Sequence, residues 1–133
     1  MKCHKIFIIE DDRDIRECFR MTLESEGYST ESFENGRDAI ARLDHSAEPC
    51  LILLDFMMPV MNGTEFMKKF AKFPTTVIPT PVFLCTAGGT EKDSISMGCC
   101  GFIKKPVDLD ILLMIVQKHC QKYVNDAPAR VAS

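Results

Sequence analysis

The chain has 133 residues, 46% of them hydrophobic and 26% charged, which fits one domain with a proper core and excludes a mainly disordered or low-complexity protein. The longest wholly apolar stretch is Ile111 to Val116, far short of the roughly 18 residues that span a bilayer, and the start Met1-Lys2-Cys3-His4 has no signal-peptide pattern. A net charge of -3, with 16 basic residues spread along the whole chain, leaves no electrostatic footprint for nucleic acid, so none is expected to bind.

In chain order, apolar runs at Ile6 to Ile9, Leu51 to Leu54 and Val82 to Cys85, with a briefer Phe102-Ile103, do not alternate with polar residues. They suit strands buried on both faces of a parallel sheet. Ser29 to Phe33 is polar enough for an edge strand. Between the strands, Ile15, Cys18, Phe19, Thr22 and Leu23 follow helical spacing, with a cap at Asp12 or Asp14 and a stop at Gly27. Further helices fit Arg37 to Leu43, Thr64 to Lys72 and Asp108 to Lys122. The alternation predicts an α/β fold, a doubly wound sheet with helices on both faces. Residues 1–122 are expected to form the domain and 123–133 a flexible tail, with no output domain in the chain. Seven cysteines, four of them (Cys18, Cys50, Cys85 and Cys120) in or beside apolar segments, read as reduced thiols of a cytoplasmic protein. Cys99-Cys100 lacks both a Cys-x-x-Cys spacing and a nearby histidine, which argues against a metal or redox site there.

In an open α/β sheet the functional crevice lies at the carboxyl ends of the strands. Glu10, Asp11 and Asp12 follow the first run, Asp55 the third, Thr86 the fourth and Lys104-Lys105 the fifth. Carboxylates gathered there repel by roughly 4 kcal/mol per pair at about 4 Å and an effective dielectric near 20, and so call for a cation. Hard oxygen ligands select Mg²⁺ or a similar ion, which keeps several waters and borrows oxygens from phosphoryl groups. The Thr86 hydroxyl and Lys105 ammonium fit an anion, and a phosphoryl group completes the set. Asp55, after the middle strand, is the best-placed nucleophile for an acyl phosphate. Asp12 is equally suited to a helix cap and to the metal.

The strings IFIIEDD at 6–12, LILLDFMMPVMNG at 51–63, VFLCTA at 82–87 and GFIKKP at 101–106 resemble the receiver domains of two-component response regulators, in the right order over nearly the whole chain. The resemblance implies a flavodoxin-like five-stranded parallel sheet of order 2-1-3-4-5, in a stand-alone regulator of the chemotaxis or phosphorelay kind. It implies that Asp55 accepts a phosphoryl group from a histidine kinase or phosphotransfer protein, and that a downstream effector reads the result. Glu10 and Asp11 would form the acidic pair, and the Met57 carbonyl would join Asp55 in the Mg²⁺ site. Thr86 and Lys105 would bind the phosphoryl oxygens, and Phe102 holds the aromatic switch position. The domain would be a signalling module that assists its own phosphorylation and dephosphorylation. Of the two ligand carboxylates and Glu10, the last is expected to act mainly through water, since Mg²⁺ leaves room for few protein groups.

A haloacid-dehalogenase phosphatase would want a second aspartate two residues after the nucleophile, where this chain has Met57; a flavodoxin would want a Ser/Thr-Gly-rich loop after the first strand. Only 18 residues separate Thr86 from Lys105, so the fourth helix is restricted to Thr90 to Met97 at most. Six consecutive apolar residues from Ile111 circle the last helix and cannot all face the sheet. With Leu112 and Val116 inward, Ile111, Ile115 and part of Met114 are expected to face out as a partner surface for a homodimer, kinase or effector.

Overall fold

The computed structural model describes residues 5–43, 49–56, 58, 60–73, 80–87 and 91–120. Five strands and five helices alternate: β1 (Ile6–Ile9), α1 (Arg13–Ser25), β2 (Thr30–Phe33), α2 (Gly36–Leu43), β3 (Leu51–Asp55), α3 (Gly63–Phe70), β4 (Val82–Thr86), α4 (Glu91–Ser96), β5 (Gly101–Lys104) and α5 (Leu109–His119). The strands form one parallel sheet in the order β2-β1-β3-β4-β5. The expected edge strand starts one residue later than its sequence suggested, and the third helix starts one residue earlier and ends two earlier. Residues 121 and 122 of the expected last helix lie outside the described residues.

Successive side chains of a strand point to opposite faces, and two clusters result, an upper one under α2 and α3 and a lower one against α1 and α5. Phe7, Ile9, Ile52, Leu54, Val82 and Leu84 pack beneath Ala39 of α2 and Phe66 and Met67 of α3. Ile6, Ile8, Leu51, Leu53, Cys85 and Ile103 pack against Phe19 and Leu23 of α1 and Leu112 and Val116 of α5. Both faces of β1 and β3 are sealed, which is why those runs carry no polar residue. Strand β2, paired only with β1, is half-buried along its length, as an edge strand should be.

The helices begin where their caps stand. Asp12 accepts from the amides of Asp14 and Ile15, and Asp108 from those of Asp110 and Ile111. Asn62 and Glu65 form a reciprocal capping box on α3. Gly27, with φ +95°, ends α1 in the left-handed conformation that glycine adopts without penalty. Helix α4 has only six residues; buried Ser94 ties it to β5 by donating to the Gly101 carbonyl at 2.8 Å. Gly101 is obligatory for another reason, because a Cβ there would sit 2.3 Å from the Phe83 ring.

Two expectations need correction. Cys50 and Cys120 are joined in a disulfide and are not separate thiols. The start of β3 and the end of α5 pack against one cluster, which brings Cα atoms 70 residues apart to within 5.6 Å, inside the usual range for a bridge. Cys18, Cys85, Cys99 and Cys100 are free. On α5, Leu112 and Val116 are buried as expected and Ile111 and Met114 are 50% and 68% exposed, but Ile115 packs against the lower cluster. At about 100° per residue Ile115 lies only about 60° around the helix from Leu112, whereas Met114 lies about 160° away.

Candidate functional site

Parallel strands place the residue after each apolar run at one edge of the sheet. β1 ends at Ile9, and the Glu10 amide donates to the Phe33 carbonyl at 3.0 Å, which holds Glu10 at the carboxyl edge between β1 and β2. Asp55 closes β3, the central strand, and pairs in register with Cys85. Thr86 closes β4, and its carbonyl accepts from the Lys105 amide at 3.0 Å. Glu10, Asp55 and Thr86 are all at most 5% exposed, whereas Asp11 is exposed.

One carboxylate oxygen from each of Glu10, Asp11 and Asp55 falls within a cluster whose members lie within 4.8 Å of one another. Lys105 reaches into it: Nζ donates to Glu10 Oε1 at 2.6 Å and stands 3.4 Å from Asp55 Oδ1. The other oxygen of Glu10 accepts from the Asp12 amide at 3.2 Å. Both Glu10 oxygens are therefore engaged, and the cluster's remaining donor atoms belong to Asp11 and Asp55. Asp12 spends its own Oδ1 on the α1 amides at 2.9 and 3.1 Å and lies outside the cluster.

Burial, with the neighbouring carboxyls of Asp11 and Glu10, pushes the Asp55 carboxyl up to about 7, against the pull of Lys105. Partial burial works against the Lys105 ammonium, but the hydrogen bond and charge of Glu10, with the charge of Asp55, hold it above the ordinary lysine range. Among the described residues one ammonium thus faces three carboxyls, and the raised Asp55 value reflects its burial first and the neighbouring carboxyls second. An oxygen-only donor set, two of its members buried, fits a small hard divalent cation. Met57 lies outside the described residues.

Phe102 is partly buried on β5, packed on the upper cluster and in register with Leu84. Lys104, its near neighbour, is exposed. Sequence reasoning missed Arg16. Its Nη1 donates to the Glu10 carbonyl at 2.8 Å and to the Asp11 carbonyl at 3.3 Å, clasping the backbone that carries the acidic pair. The available signal was its place in the first turn of α1, where side chains lean back toward the helix start.

A family model for the response regulator receiver domain matches residues 6–117. Among curated relatives, the transcriptional regulatory protein CrdR of Helicobacter pylori is 35% identical over 131 residues, covering 96% of this chain and 58% of that protein. An uncharacterized 14.6 kDa protein of Leptolyngbya boryana is 30% identical over 125 residues, covering 92% of this chain and 94% of that one. The chain spans 37% to 58% of the first three transcriptional regulators it matches. Among solved structures, the Vibrio cholerae chemotaxis protein CheY4 superposes with a TM-score of 0.72 at 26% identity, over 89% of this chain and 99% of that one. A CheY-like receiver domain from Methanospirillum hungatei gives 0.76 at 26%, over 88% and 93%. The chain belongs to the response regulator receiver domain family.

Proposed function

Starting from that membership, we propose that Asp55 is the phosphoacceptor, taking a phosphoryl group from the phosphohistidine of a sensor kinase or phosphotransfer protein. The reading rests on one observation: Asp55 is buried at the end of the central strand, facing two other carboxyls and an ammonium 3.4 Å away. A carboxylate oxygen of Asp55 attacks phosphorus, the phosphorus–nitrogen bond breaks, and its electron pair leaves on the imidazole, giving an acyl phosphate. Asp11 and Asp55 would hold Mg²⁺, with Glu10 acting through water and the Met57 carbonyl as a further ligand. When bound, the ion would supply positive charge against the carboxyls and the transferred group.

The chain's own residues supply the rest. Lys105 screens the carboxyls before transfer, and its ammonium with the Thr86 hydroxyl binds the phosphoryl oxygens after it. Drawing Thr86 inward vacates space into which Phe102 turns, and the change passes to the outer surface. The exposed pair Ile111 and Met114 on α5, with Ile115 behind them, offers an effector or a second copy of the chain an apolar contact. The domain signals in the cytoplasm and assists both its phosphorylation and its dephosphorylation. Incubation with acetyl phosphate and Mg²⁺ should add one group of about 80 Da, seen by mass spectrometry. Asp55→Asn should abolish the adduct with the fold intact. An adduct that survives this substitution, or rapid release of free phosphate with none formed, overturns the assignment.

A further inference from the structure

The Cys50–Cys120 cross-link has no part in that chemistry. Cys50 precedes β3, the strand that ends at Asp55, and its amide donates to the Lys5 carbonyl at 2.9 Å. Cys120 closes α5, its amide donating to the Val116 carbonyl at 2.8 Å. The bridge therefore lies at the amino edge of the sheet, about 16 Å of strand away from the phosphoacceptor. Both cysteines are half-buried at the edge of a core cluster and not sealed within it.

The fold does not depend on the bond to keep α5 in place. Leu112 and Val116 are fully buried and hold the middle of the helix. The last turn differs: Gln117, Lys118 and His119 are all exposed, and the contact there is the His119 ring against Phe83 at 5.4 Å between centroids. With Val116 buried at its start and Cys120 packed against the same cluster, the disulfide adds a covalent anchor at the very end of that turn. The other described cysteines argue against a framework of structural bridges. Cys18 and Cys100 are exposed and free, and burial pushes Cys85 up to about 12 and Cys99 up to about 11, which leaves them inert as nucleophiles. Among the described residues, one half-buried bridge beside four free thiols fits a redox-active pair.

We propose that Cys50 and Cys120 form a reversible thiol–disulfide exchange site, which fixes the last turn of α5 when oxidised and releases it when reduced by a dithiol or glutathione. A thiolate of the reductant attacks one sulfur, the S–S bond breaks, and the other sulfur leaves as a thiolate that takes up a proton. A second reductant thiol resolves the mixed disulfide. The pair gains two electrons and two protons, and the reductant leaves as its own disulfide. The regulatory sense of releasing α5 rests on the receiver reading; the exchange itself does not.

The test uses the full chain, folded, in the presence and absence of dithiothreitol. Alkylation followed by peptide mapping should find Cys50 and Cys120 blocked without reductant and labelled together with it, and a glutathione redox buffer should close the bond again. Amide hydrogen exchange in residues 117–120 should rise about tenfold on reduction, with β3 unchanged. Cys120→Ser should reproduce the reduced pattern in the absence of reductant. Independent labelling of the two cysteines, a bond that yields only after denaturation, or unchanged exchange at the end of α5 overturns the proposal. Acetyl phosphate should label Asp55 in both redox forms. Failure in both would count against the phosphoacceptor and leave the exchange site standing.

Discussion

Asp55 makes a measurable demand on the metal-free fold. Its carboxyl is carried from an ordinary 3.8 to about 7, chiefly by burial and then by Asp11 and Glu10. A carboxyl whose pKa is raised on folding binds protons more tightly in the native state. Its favourable contribution is whole below about pH 4 and is lost as pH rises toward about 7; above that both states are ionised and the deficit stays constant. At about 1.4 kcal/mol per pKa unit, the full deficit is about 4 kcal/mol. Asp55 is only 5% exposed, so solvent screening removes little of this. Asp55→Asn keeps the shape and removes the charge, while Lys105 retains Glu10 as its partner at 2.6 Å. In chelator, urea unfolding should find the two proteins equally stable near pH 4 and the asparagine variant more stable by up to about 4 kcal/mol at pH 8. Comparing the pair cancels the titration of groups remote from the site, while Asp11, Glu10 and Lys105, which interact with Asp55, share in the gap. With Mg²⁺ at pH 8 the gap should narrow, because the ion stabilises the native protein that binds it more tightly. A difference that does not change between pH 4 and 8, or an asparagine variant that is the less stable at pH 8, would refute the account of Asp55 as an uncompensated buried charge.

Two further outcomes follow from the geometry. Arg16→Met should weaken Mg²⁺ binding about tenfold by calorimetry with little change in thermal unfolding, and Arg16→Lys should recover part of it; equal affinity in all three proteins would remove Arg16 as a positioning residue. Ile111→Lys combined with Met114→Glu should leave folding and Asp55 labelling intact while reducing self-association or effector capture, measured by light scattering and pull-down. A double variant indistinguishable from the parent would make the two side chains ordinary surface.

The sheet was legible because both faces of its central strands are covered. Burial on both sides forces uninterrupted apolar runs such as Leu51 to Leu54, and the first polar residue after each run then marks the carboxyl edge. Glu10, Asp55 and Thr86 follow from that rule alone, since it needs only the order of residues along one segment, whereas on the last run it marks Lys104 and the resemblance was needed to choose Lys105. What escaped it depends on how separate segments pack. The bridge between Cys50 and Cys120 spans 70 residues, and no local pattern says that the start of β3 and the end of α5 share a cluster. Ile115 was misplaced because a helix wholly apolar for six residues has no periodicity from which to choose its buried side. Val60, with φ +71° in the loop between β3 and α3, is equally silent in sequence, because a β-branched residue is the last that composition would assign to a left-handed conformation.

Helix α5 is the element on which the two chemistries meet. It begins four residues after Lys105 and ends at Cys120, so the phosphoryl site acts near its first turn and the disulfide on its last. Eleven residues at about 1.5 Å each separate those ends by about 16 Å. Between them Leu112 and Val116 are fully buried in the cluster they share with Ile6, Ile8, Leu51, Leu53, Cys85 and Ile103, which holds the middle of the helix on the sheet. Release of the last turn therefore loosens the surface around Lys118 and His119 without moving Lys105, whose position is set by Glu10 and by the Thr86 carbonyl. If Asp55 is the phosphoacceptor and the cysteine pair exchanges as proposed, two inputs act separately on one helix: the state of Asp55 at the end that adjoins the sheet's carboxyl edge, and the state of the cysteine pair on how firmly the opposite end is held.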